Sequence, residues 1–564
     1  MTGRREAEPL TDAAPPDLAA HSGAEMLNLS LHQGDLQRFT PEQLQAAFFS
    51  TYTTSAERIA AIEALLRGPG GPFVREQMGR WVIQRLPVED LVPQQYAHWR
   101  PLVQDAMLFV FLHLSIERLA PKLVEQMELP PNTRTGARLL KLIAKVPGLQ
   151  KLGQVLARNR NLHPRLRLAL SELENGISDM KPEDVRAIIV ATLGSLLDAH
   201  AVKIKPGIFF EASVSAVVQF TWKNPDTRRR ERGVFKVMKP HIPACFAEDM
   251  NLLAELARYV GARSQKYGFA KRVLPETFSD VRRLLQHEVE FSREQATLPE
   301  AFRLYGSVLG LRVPRLIQPL CTSNITAMTE ARGKKVTDAV AGMPGWRRAA
   351  ISELLIEAFL AVPIFSSEKC AMFHADPHAG NLLYDIQTGK LTILDWALTE
   401  RMSRDQRRHL AMLFFMTGLR DPEGIFHQIQ TLSRGGARRK ASQAKIIRDC
   451  VDHLIRKLPL TRIPGAADTL DLLESLAMKG VRLPAPLIML RKVLFTLDGV
   501  LHDIGGPQVN VVSILARHAT PRWLTSWKAF GSPLSWKDWM AVQSSTLLYG
   551  GRVCWQGAQA LLDR

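Results

Sequence analysis

Residues 373–402, FHADPHAGNLLYDIQTGKLTILDWALTERM, concentrate side chains that could hold a metal ion or a phosphate group. Two short apolar runs, at 382–384 and 391–394, flank a polar turn that contains a glycine, a pattern typical of a β-hairpin. Asn381 comes just before the first run and Asp395 just after the second. Because a hairpin brings its two ends to within about 5 Å, we expect an amide and a carboxylate side by side. These are the hard oxygen ligands that magnesium prefers.

A second carboxylate, that of Asp376, lies five residues before Asn381, and we expect it in a loop. From there it could orient an attacking hydroxyl group or accept its proton. The order D-x-x-x-x-N, hairpin and D is the catalytic and metal-binding layout of kinase folds. The sequence therefore predicts a catalytic role for Asp376 and a magnesium site formed by Asn381 and Asp395.

A different site would use His374, Asp376 and His378 as direct metal ligands. On a strand, residues two apart share one face, so these three side chains could converge. This interpretation leaves Asn381 and Asp395 without a role and supplies no group to orient the histidines. We therefore prefer the nucleotide and magnesium interpretation, in which the histidines shape the loop around Asp376.

A kinase-like site also needs a strand lysine that holds the phosphates and a helix acid that holds the lysine. Lys236, in VFKVMK, lies among apolar residues in a predicted strand, where an unpaired charge would be costly. Glu294, in the helical segment 281–296, is the partner that we choose for it. We expect Glu288 and Glu290 to face a different neighbour.

The composition is that of an ordinary globular protein with an excess of positive charge. The 564 residues are 46% apolar and 23% charged, and the net charge of +18 fits equally well an anionic partner, such as phosphate, nucleic acid or lipid headgroups, and a protein that simply exposes many arginines. The five cysteines never form a C-x-x-C pair, which argues against a disulfide framework or a zinc knuckle. The chain shows neither a signal-peptide core nor the roughly 18 apolar residues of a spanning helix. We expect a cytoplasmic protein, at most peripheral to the inner face of the membrane.

The hydrophobic periodicity predicts a mostly helical α+β chain. Two runs between 207 and 240 alternate around the basic segment KNPDTRRRER, which predicts two antiparallel strands, with Lys239 at their exposed end. The glycine and basic segment 433–440 is expected to be a loop, and helices are expected to fill most of 345–372. The predicted segments are a disordered tail (1–25), an N-terminal helical region (26–135), a helical extension (136–205), a small β-containing lobe (206–335), a helical lobe (336–505) and a tryptophan-rich tail (506–564).

Four motifs together resemble the UbiB/AarF-type atypical kinases, the coenzyme Q-associated branch of the kinase fold. KLGQ at 151–154 is similar to the K-x-G-Q signature, and EASVS at 211–215 to the alanine-rich replacement for the glycine loop. EVEFSRE at 288–294 is similar to the E-x-D segment with the helix glutamate. FHADPHAGN and LDWA, at 373–381 and 394–397, are similar to the catalytic loop and the metal motif. The resemblance implies a bilobal protein-kinase-like fold, with a small β-containing N-lobe, a helical C-lobe and a helical N-terminal extension.

The resemblance also implies a set of roles at an ATP site. Lys236 and Glu294 would form the ion pair that positions the nucleotide, and Asn381 and Asp395 would bind Mg2+ beside the catalytic Asp376. The other nucleotide-binding residues would be Ala212, Ser213 and Ser215 of the alanine-rich loop, and Glu330, which would mark the hinge that contacts the adenine through its backbone.

A further group of residues would regulate this site. Lys151 and Gln154 would lie on an inhibitory helix over the position where a kinase's protein substrate docks, with Lys151 near Glu288 or Glu290. The implied activity is ATP hydrolysis, or phosphorylation of a small molecule or lipid, linked to isoprenoid-quinone or lipid metabolism. We expect a nucleotide and a lipid or quinone-precursor ligand, and no nucleic acid.

The chain departs from the family pattern in ways that indicate a divergent member. Glu290 stands where the family usually has Asp, Ala379 where it has Pro, and Ala216 where it has Gln, while DWA at 395–397 replaces the usual D-F-G. Two alternatives stay open. One is a nucleotide-binding scaffold with little turnover, and the other is an aminoglycoside-type phosphotransferase, which has no use for KLGQ.

The C-terminal tail has an unusual composition. Five of the ten tryptophans lie in the last 42 residues, among lysines and arginines. Tryptophan with basic residues is typical of a membrane interface or an amphipathic docking helix. The alternative, which we prefer, is a tail packed on the large lobe with tryptophans as anchors.

Overall fold

A computed structural model describes most of the chain. The main described ranges are 48–92, 100–143, 180–212, 214–267, 289–306, 308–433, 437–459, 464–481, 483–505, 511–524 and 533–551. The predictions for residues 1–25, Lys151, Gln154, Ser213 and Glu288 lie outside the described residues. The chain forms two compact units, of residues 1–171 with 244–282 and of residues 172–243 with 283–564.

The secondary structure is mostly helical with short strands. The helices are Ser55–Arg67 (α1), Gly71–Gln84 (α2), Val88–Leu91 (α3), Arg100–His113 (α4), Ile116–Glu128 (α5), Thr135–Ile143 (α6), Pro182–Leu193 (α7), Ser195–Ala199 (α8), Ile242–Ala262 (α9), Phe291–Tyr305 (α10), Val336–Ala339 (α11), Gly345–Ile356 (α12), Val362–Ile364 (α13), Arg404–Leu419 (α14), Pro422–Leu432 (α15), Ala437–Lys457 (α16), Ala466–Met478 (α17), Ala485–Ile504 (α18), Val511–Leu524 (α19) and Trp536–Ser545 (α20). The strands are Lys203–Ile204 (β1), Phe210–Glu211 (β2), Ser215–Lys223 (β3), Arg230–Met238 (β4), Leu311–Arg312 (β5), Ile325–Thr329 (β6), Lys334–Lys335 (β7), Cys370–His374 (β8), Leu382–Asp385 (β9), Lys390–Ile393 (β10) and Thr399–Ser403 (β11).

The first unit consists of helices, α1–α6 together with most of α9. Its apolar core includes Leu123 of α5 and Leu256 of α9. An ion pair between Arg118 of α5 and Asp249 of α9, at 2.8 Å, joins the same two helices. Helix α9 thus belongs to this unit, although it directly follows the strand that carries Lys236.

The second unit begins with a small lobe built around a sheet in the order β1-β3-β4-β6, with β2 also paired to β3. β3 and β4 pair antiparallel along their whole length, from Ser215 opposite Met238 to the turn. Burial alternates along both strands, and Phe220 and Phe235 stack at 3.9 Å between ring centroids. Helix α7 contributes Ile189 to the same core. The alternating apolar residues therefore fix which face of the sheet is buried.

The rest of the second unit is a larger, helical lobe. It carries a sheet in the order β5-β10-β9-β7 and a separate pair of strands, β11-β8. Arg407 of α14 is fully buried, and its guanidinium donates hydrogen bonds to the carbonyl oxygens of Ile364, at 3.2 Å, and Ser366, at 2.5 Å. It thereby supplies donors to the end of α13, where the helix itself leaves carbonyl groups without partners.

The predicted mostly helical α+β fold is confirmed, as are the two predicted hairpins, β3–β4 and β9–β10. Helices fill most of 345–372, as predicted, and strand β8 begins at Cys370. Two local expectations were wrong. Lys239 is not at an exposed strand end, because its side chain is 1% exposed and forms a buried ion pair with Glu211. Residues 437–440 begin helix α16 rather than extending a loop.

The apolar run at 106–114 lies largely within α4, where Phe109 and Phe111 are buried in the core. The run is much shorter than the roughly 18 apolar residues that a spanning helix needs. In the part of the chain that the structure describes, none of the helices combines the length and the apolar character needed to cross a membrane.

Gly333 allows the segment between β6 and β7 to approach β9. Its φ is +123°, and a Cβ there would lie 2.6 Å from the carbonyl oxygen of Tyr384.

We predict that Gly333→Ala lowers the free energy of unfolding by about 1–3 kcal/mol, because the clash is with backbone that is held by β7–β9 pairing. Urea unfolding followed by circular dichroism measures the effect. Gly345→Ala is the control, since a Cβ at Gly345 meets nothing within 4 Å. Equal stability of the two variants would contradict this account.

Candidate functional site

Lys236 forms an ion pair at the centre of the candidate site. The strand register places it opposite Val217 of β3 and Thr326 of β6. Its Nζ donates a hydrogen bond to Glu294 Oε2 at 2.8 Å and lies 3.8 Å from Asp395 Oδ2. The side chains of Glu294 and Lys236 are 2% and 15% exposed, so water screens this pair little. The structure thus brings together the lysine and the glutamate that the sequence paired.

Burial and charge act in opposite directions on Lys236. Burial by itself lowers the pKa of Lys236, but the carboxylates of Asp395 and Glu294 outweigh it, so the pKa lies above its usual value. Burial is also the largest effect on Glu294 and raises its pKa, while Lys236 opposes that shift. The Lys236 ammonium therefore stays charged, as a phosphate-binding group must.

Helix α10, which carries Glu294, is tied to the DWA segment at 395–397. Thr297 Oγ1 donates a hydrogen bond to the carbonyl oxygen of Trp396 at 2.6 Å, and Arg293 Nε donates one to that of Ala397 at 3.2 Å. The backbone amide of Trp396 favours the charged form of Glu294 and so opposes the rise in its pKa that burial causes. Because of the two hydrogen bonds, the helix and the segment that carries Asp395 fix each other's position beside Lys236. Neither Thr297 nor Arg293 is indicated by a sequence motif.

Trp396 is fully buried in the lobe core. Its indole N–H donates a hydrogen bond to the carbonyl oxygen of Ile393 at 3.1 Å. Its ring meets that of His374 edge-on, with centroids 5.0 Å apart, and lies 5.1 Å from that of Tyr305. The tryptophan that replaces the usual phenylalanine therefore packs into the lobe core against His374 and Tyr305.

The β9–β10 hairpin places Asn381 next to the segment that leads into Asp395. The strands pair up to Leu382 opposite Ile393, and the N–H of Leu394 continues the pairing to the carbonyl oxygen of Asn381 at 2.8 Å. Asn381 and Asp395 thus leave the same end of the hairpin. The predicted juxtaposition follows from this register.

The orientation of these two side chains suits a magnesium ion. Asn381 donates its amide N–H to the carbonyl oxygen of Asp376 at 3.2 Å, which directs its amide oxygen to another partner. Asp395 accepts the N–H of Ala397 at 3.3 Å through Oδ1, and its side chain is 38% exposed. Asp395 also has a φ of 54°, a conformation that costs energy in residues other than glycine and recurs at functional sites. One amide oxygen and one accessible carboxylate are the few protein ligands that magnesium takes when phosphates supply the others.

His374 links the loop of Asp376 to the segment of Asp395. Its Nδ1 accepts the backbone N–H of Asp376 at 3.2 Å, and its Nε2 donates to the carbonyl oxygens of Leu394, at 3.0 Å, and Asp395, at 2.8 Å. Burial lowers the pKa of His374, although the Asp376 carboxylate opposes this, so the ring is neutral.

These contacts bear on the alternative in which His374, Asp376 and His378 bind a metal directly. Both ring nitrogens of His374 already serve the backbone, so this histidine cannot be a metal ligand without breaking the loop. Among the described residues, there is no group of three or more His, Cys, Asp or Glu side chains arranged to hold a metal ion. The structure therefore favours the architectural role of His374.

Asp376 is nearly buried and faces His378. Its side chain approaches His378 Nε2 at 3.7 Å. His378 Nδ1 accepts the N–H of Gly380 at 3.1 Å, so in the neutral ring the hydrogen sits on Nε2, on the side of Asp376. The loop thus orients the predicted catalytic carboxylate through a side chain two residues away.

The alanine-rich loop is the connection between β2 and β3. The N–H of Ala212 donates to the carbonyl oxygen of Ser215 at 2.8 Å, and Ser215 is buried opposite Met238. At the start of the loop, Glu211 pairs with Lys239 Nζ at 2.8 Å. This pair was not predicted from the sequence, whose only signal was a glutamate directly before the small residues at 212–215.

The remaining predicted residues divide between the hinge and the start of α10. Glu330 follows β6, where its N–H donates to the carbonyl oxygen of Arg232 at 3.3 Å and its Oε1 accepts a hydrogen bond from Gln219 at 2.5 Å. Its side chain therefore faces the sheet. Glu290 is the exposed N-cap residue of α10, whereas Glu294 is buried, so the two acids differ in environment as expected.

The described part of the tail packs on the large lobe. Arg408 of α14 holds Asp538 of α20 with two hydrogen bonds, at 2.7 and 2.8 Å. Ser545, at the end of α20, donates a hydrogen bond to Asp421 at 2.6 Å. For residues 533–551, this agrees with the packing interpretation of the tail.

Comparison with known proteins gives these contacts a context. Residues 172–429 match the ABC1 atypical kinase-like domain. The chain is 24% identical to "Protein ACTIVITY OF BC1 COMPLEX KINASE 7, chloroplastic" of Arabidopsis thaliana, over 66% of this chain and 52% of that protein. It is 23% identical to "Probable protein kinase UbiB" of Marinobacter nauticus, over 66% of this chain and 67% of that protein. With the protein of the same name from Aeromonas hydrophila, the identity is 24% over 73% and 72%. The match thus spans about half the length of the Arabidopsis relative.

A solved complex of Rv3197 with erythromycin from Mycobacterium tuberculosis is 15% identical and covers 65% of this chain and 89% of that one, with a TM-score of 0.43. That score is too low to support a conclusion about this chain. The domain match is independent of it and contains Lys236, Glu294, Asp376, Asn381 and Asp395. Residues 172–429 thus match an ABC1 atypical kinase-like domain, and the relatives named above are consistent with the resemblance to the UbiB/AarF-type kinases that the motifs showed.

Proposed function

We propose that this chain binds ATP with Mg2+ and cleaves the terminal phosphate, as an ATPase or as a kinase of a small molecule or lipid. The observation that carries the proposal is the convergence of Lys236, Glu294 and Asp395, from three separate segments, into one group of charges that is buried at Glu294 and accessible at Asp395. A purely structural lysine would need only one carboxylate. Two carboxylates around one ammonium leave a negative charge that suits a divalent cation.

Each residue then has a defined task. Lys236, kept charged by its carboxylates, binds phosphate oxygens of the nucleotide. Asn381 and Asp395 would hold the magnesium ion, which would supply neutralisation of the charge that develops on the phosphates. Asp376 orients an attacking hydroxyl group or water and receives its proton. His374 bonds to the backbones of both Asp376 and Asp395, and it thereby holds the carboxylate that would orient the nucleophile at a fixed position relative to the metal ligand.

The acceptor class follows from the resemblance to UbiB-type proteins. We propose that it lies in isoprenoid-quinone or lipid metabolism, with ATP hydrolysis as the reaction when no acceptor is phosphorylated. A nucleotide-binding scaffold with little turnover is the main alternative. Against it stands the complete set of catalytic-loop and metal residues, Asp376, Asn381 and Asp395, in compatible orientations.

The metal ligand provides the first test. We predict that Asp395→Asn reduces Mg2+-dependent ATP hydrolysis by about 100-fold or more, because it removes the charged oxygen that holds the cation. A coupled ADP-release assay at several Mg2+ concentrations measures the effect. Asp226→Asn, an equivalent change at an exposed turn between β3 and β4, should leave the rate unchanged. Identical rates for wild type and Asp395→Asn would reject catalysis and favour the scaffold.

The ion pair provides a second test. We predict that Lys236→Met weakens MgATP binding by more than about tenfold and lowers the free energy of unfolding by about 3–5 kcal/mol, because it leaves Glu294 buried without its cation. Adding Glu294→Gln should recover part of the stability but none of the affinity. Thermal melting and calorimetric titration separate the two effects. Undiminished MgATP affinity in Lys236→Met would contradict the proposed role.

We also propose that the outward side of α20 touches an anionic membrane surface. Trp536 and Met540, one turn apart, are 63% and 49% exposed on a helix whose other side is fastened through Asp538. Lys537 lies beside them, and the chain is strongly positive. Such an apolar stripe with basic flanks suits the headgroup region.

We predict that Trp536→Ser combined with Met540→Ser reduces flotation with phosphatidylglycerol vesicles at least about threefold, since the apolar contact is lost. Phe495→Ser, at an exposed apolar position of α18, is the control. Equal flotation of the wild type and the double variant would exclude this surface.

A further inference from the structure

The alanine-rich loop rests on a buried ion pair. Lys239 Nζ and Glu211 Oε1 are 2.8 Å apart, and the two residues are 1% and 8% exposed. Surface ion pairs contribute little, but breaking a buried pair leaves one charge without compensation and is strongly unfavourable. The distance between Glu211 and Lys239 is therefore a firm constraint on the start of the loop.

Lys239 holds this loop in two ways. Its side chain reaches Glu211 at the beginning of the loop, and its backbone N–H donates to the carbonyl oxygen of Val214, inside the loop, at 3.1 Å. The loop is closed internally by the bond from Ala212 to Ser215, at 2.8 Å. One residue that directly follows β4 thus fastens both ends of the loop to the strand that carries Lys236.

Glu211 also ties the loop to the segment before α7. Its Oε1 accepts the backbone N–H of Met180 at 3.2 Å. Glu211 is therefore a junction of three segments: the residues that lead into α7, the start of the loop and the end of β4.

The residue types of the loop explain why such a junction is useful. A glycine-rich phosphate loop adapts to its ligand because glycine reaches conformations that other residues avoid. Residues 211–215, EASVS, contain no glycine. A loop of this kind has to be placed by contacts that exist before the nucleotide binds.

We propose that Glu211 and Lys239 are positioning residues: their ion pair holds the 212–215 loop at a fixed place relative to Lys236, ready for the nucleotide phosphates. The proposal rests on the proposed function, in that ATP is the ligand that the loop receives. The pair does not touch the nucleotide. It acts through the loop backbone, so its loss should weaken binding more than it slows the chemical step.

The first experiment examines the loop without any nucleotide, by hydrogen exchange of the full-length protein. Glu211→Gln and Lys239→Met should each accelerate exchange in the peptide that covers the loop by about tenfold, an opening cost of about 1.4 kcal/mol. Lys239→Arg, which retains the charge, should exchange at nearly the wild-type rate. Glu231→Gln is the matched control, because it alters a more exposed ion pair with Arg315 at the opposite end of β4. Unchanged loop exchange in both Glu211→Gln and Lys239→Met would overturn the proposal.

The second experiment measures MgATP binding and hydrolysis for the same variants. Glu211→Gln and Lys239→Met should raise the Kd about tenfold, while kcat changes less than about threefold. The double variant should bind no more weakly than the weaker single variant, since either change alone already breaks the pair. Additive losses, or a faster-exchanging loop with unchanged Kd, would overturn the positioning role. If Lys239→Met does not fold, Glu211→Gln carries the same comparisons alone.

The two experiments separate this inference from the proposed function. A wild-type chain that binds no MgATP would reject the proposed function, and the exchange rates would still show whether the pair holds the loop. If the wild-type chain binds MgATP but neither substitution changes hydrogen exchange in the loop, only the positioning role of Glu211 and Lys239 would be rejected.

Discussion

Lys236 is the constraint on which the rest of the site depends, because an ammonium group this far from water must be surrounded by negative charge. It lies on β4, between two other strands, so it cannot turn to solvent without breaking the sheet. The carboxylates therefore have to come to it. Glu294 arrives from α10 and Asp395 from the end of a hairpin in the larger lobe. The ion pair thus requires both lobes of the second unit to be folded before it can form.

Two kinds of restraint bring the carboxylates to this point. One is regular pairing: the register of β9 and β10 places Asn381 and Asp395 at the same end of the hairpin. The other consists of single side chains that bond to backbone groups of a different segment, as His374 does with the Asp395 carbonyl oxygen and Thr297 with that of Trp396. Strand pairing determines which residues are neighbours. The side-chain hydrogen bonds determine the direction of the Asp395 side chain, which follows from the strained backbone at that residue.

This division explains how much could be predicted from the sequence. The hairpin and the β3–β4 pair follow from period and turn residues, which are local properties, whereas the partnership of Lys236 with Glu294 was predicted from the cost of an unpaired charge and from the kinase pattern. The side-chain bonds of Thr297, Arg293 and His374 depend on distances between segments that are far apart in the chain, for which a single sequence gives no register. The regulatory roles of Lys151, Gln154 and Glu288 stay predictions.

Lys239 was predicted wrongly because its partner is far away in the sequence. Its position after the last strand residue and before a proline is typical of an exposed strand end, and a lysine is rarely buried unless an acidic side chain pairs with it. That partner, Glu211, is the last residue of β2, which pairs with β3, so neither residue is informative alone. The membership of α9 in the first unit likewise depends on packing between segments that are far apart in the chain.

The tryptophan of the DWA segment matters for activity, since a departure from D-F-G at this place could indicate a degenerate site. Its contacts argue otherwise. Trp396 fills the core between His374 and Tyr305, and its carbonyl oxygen accepts a hydrogen bond from Thr297 of α10. A larger ring in this position gives more apolar contact beneath the site and leaves Asp395, the preceding residue, partly exposed beside Lys236. The substitution changes the packing of the core around Trp396. The side chains of Lys236 and Asp395, which would contact the nucleotide and the metal, are unchanged in type.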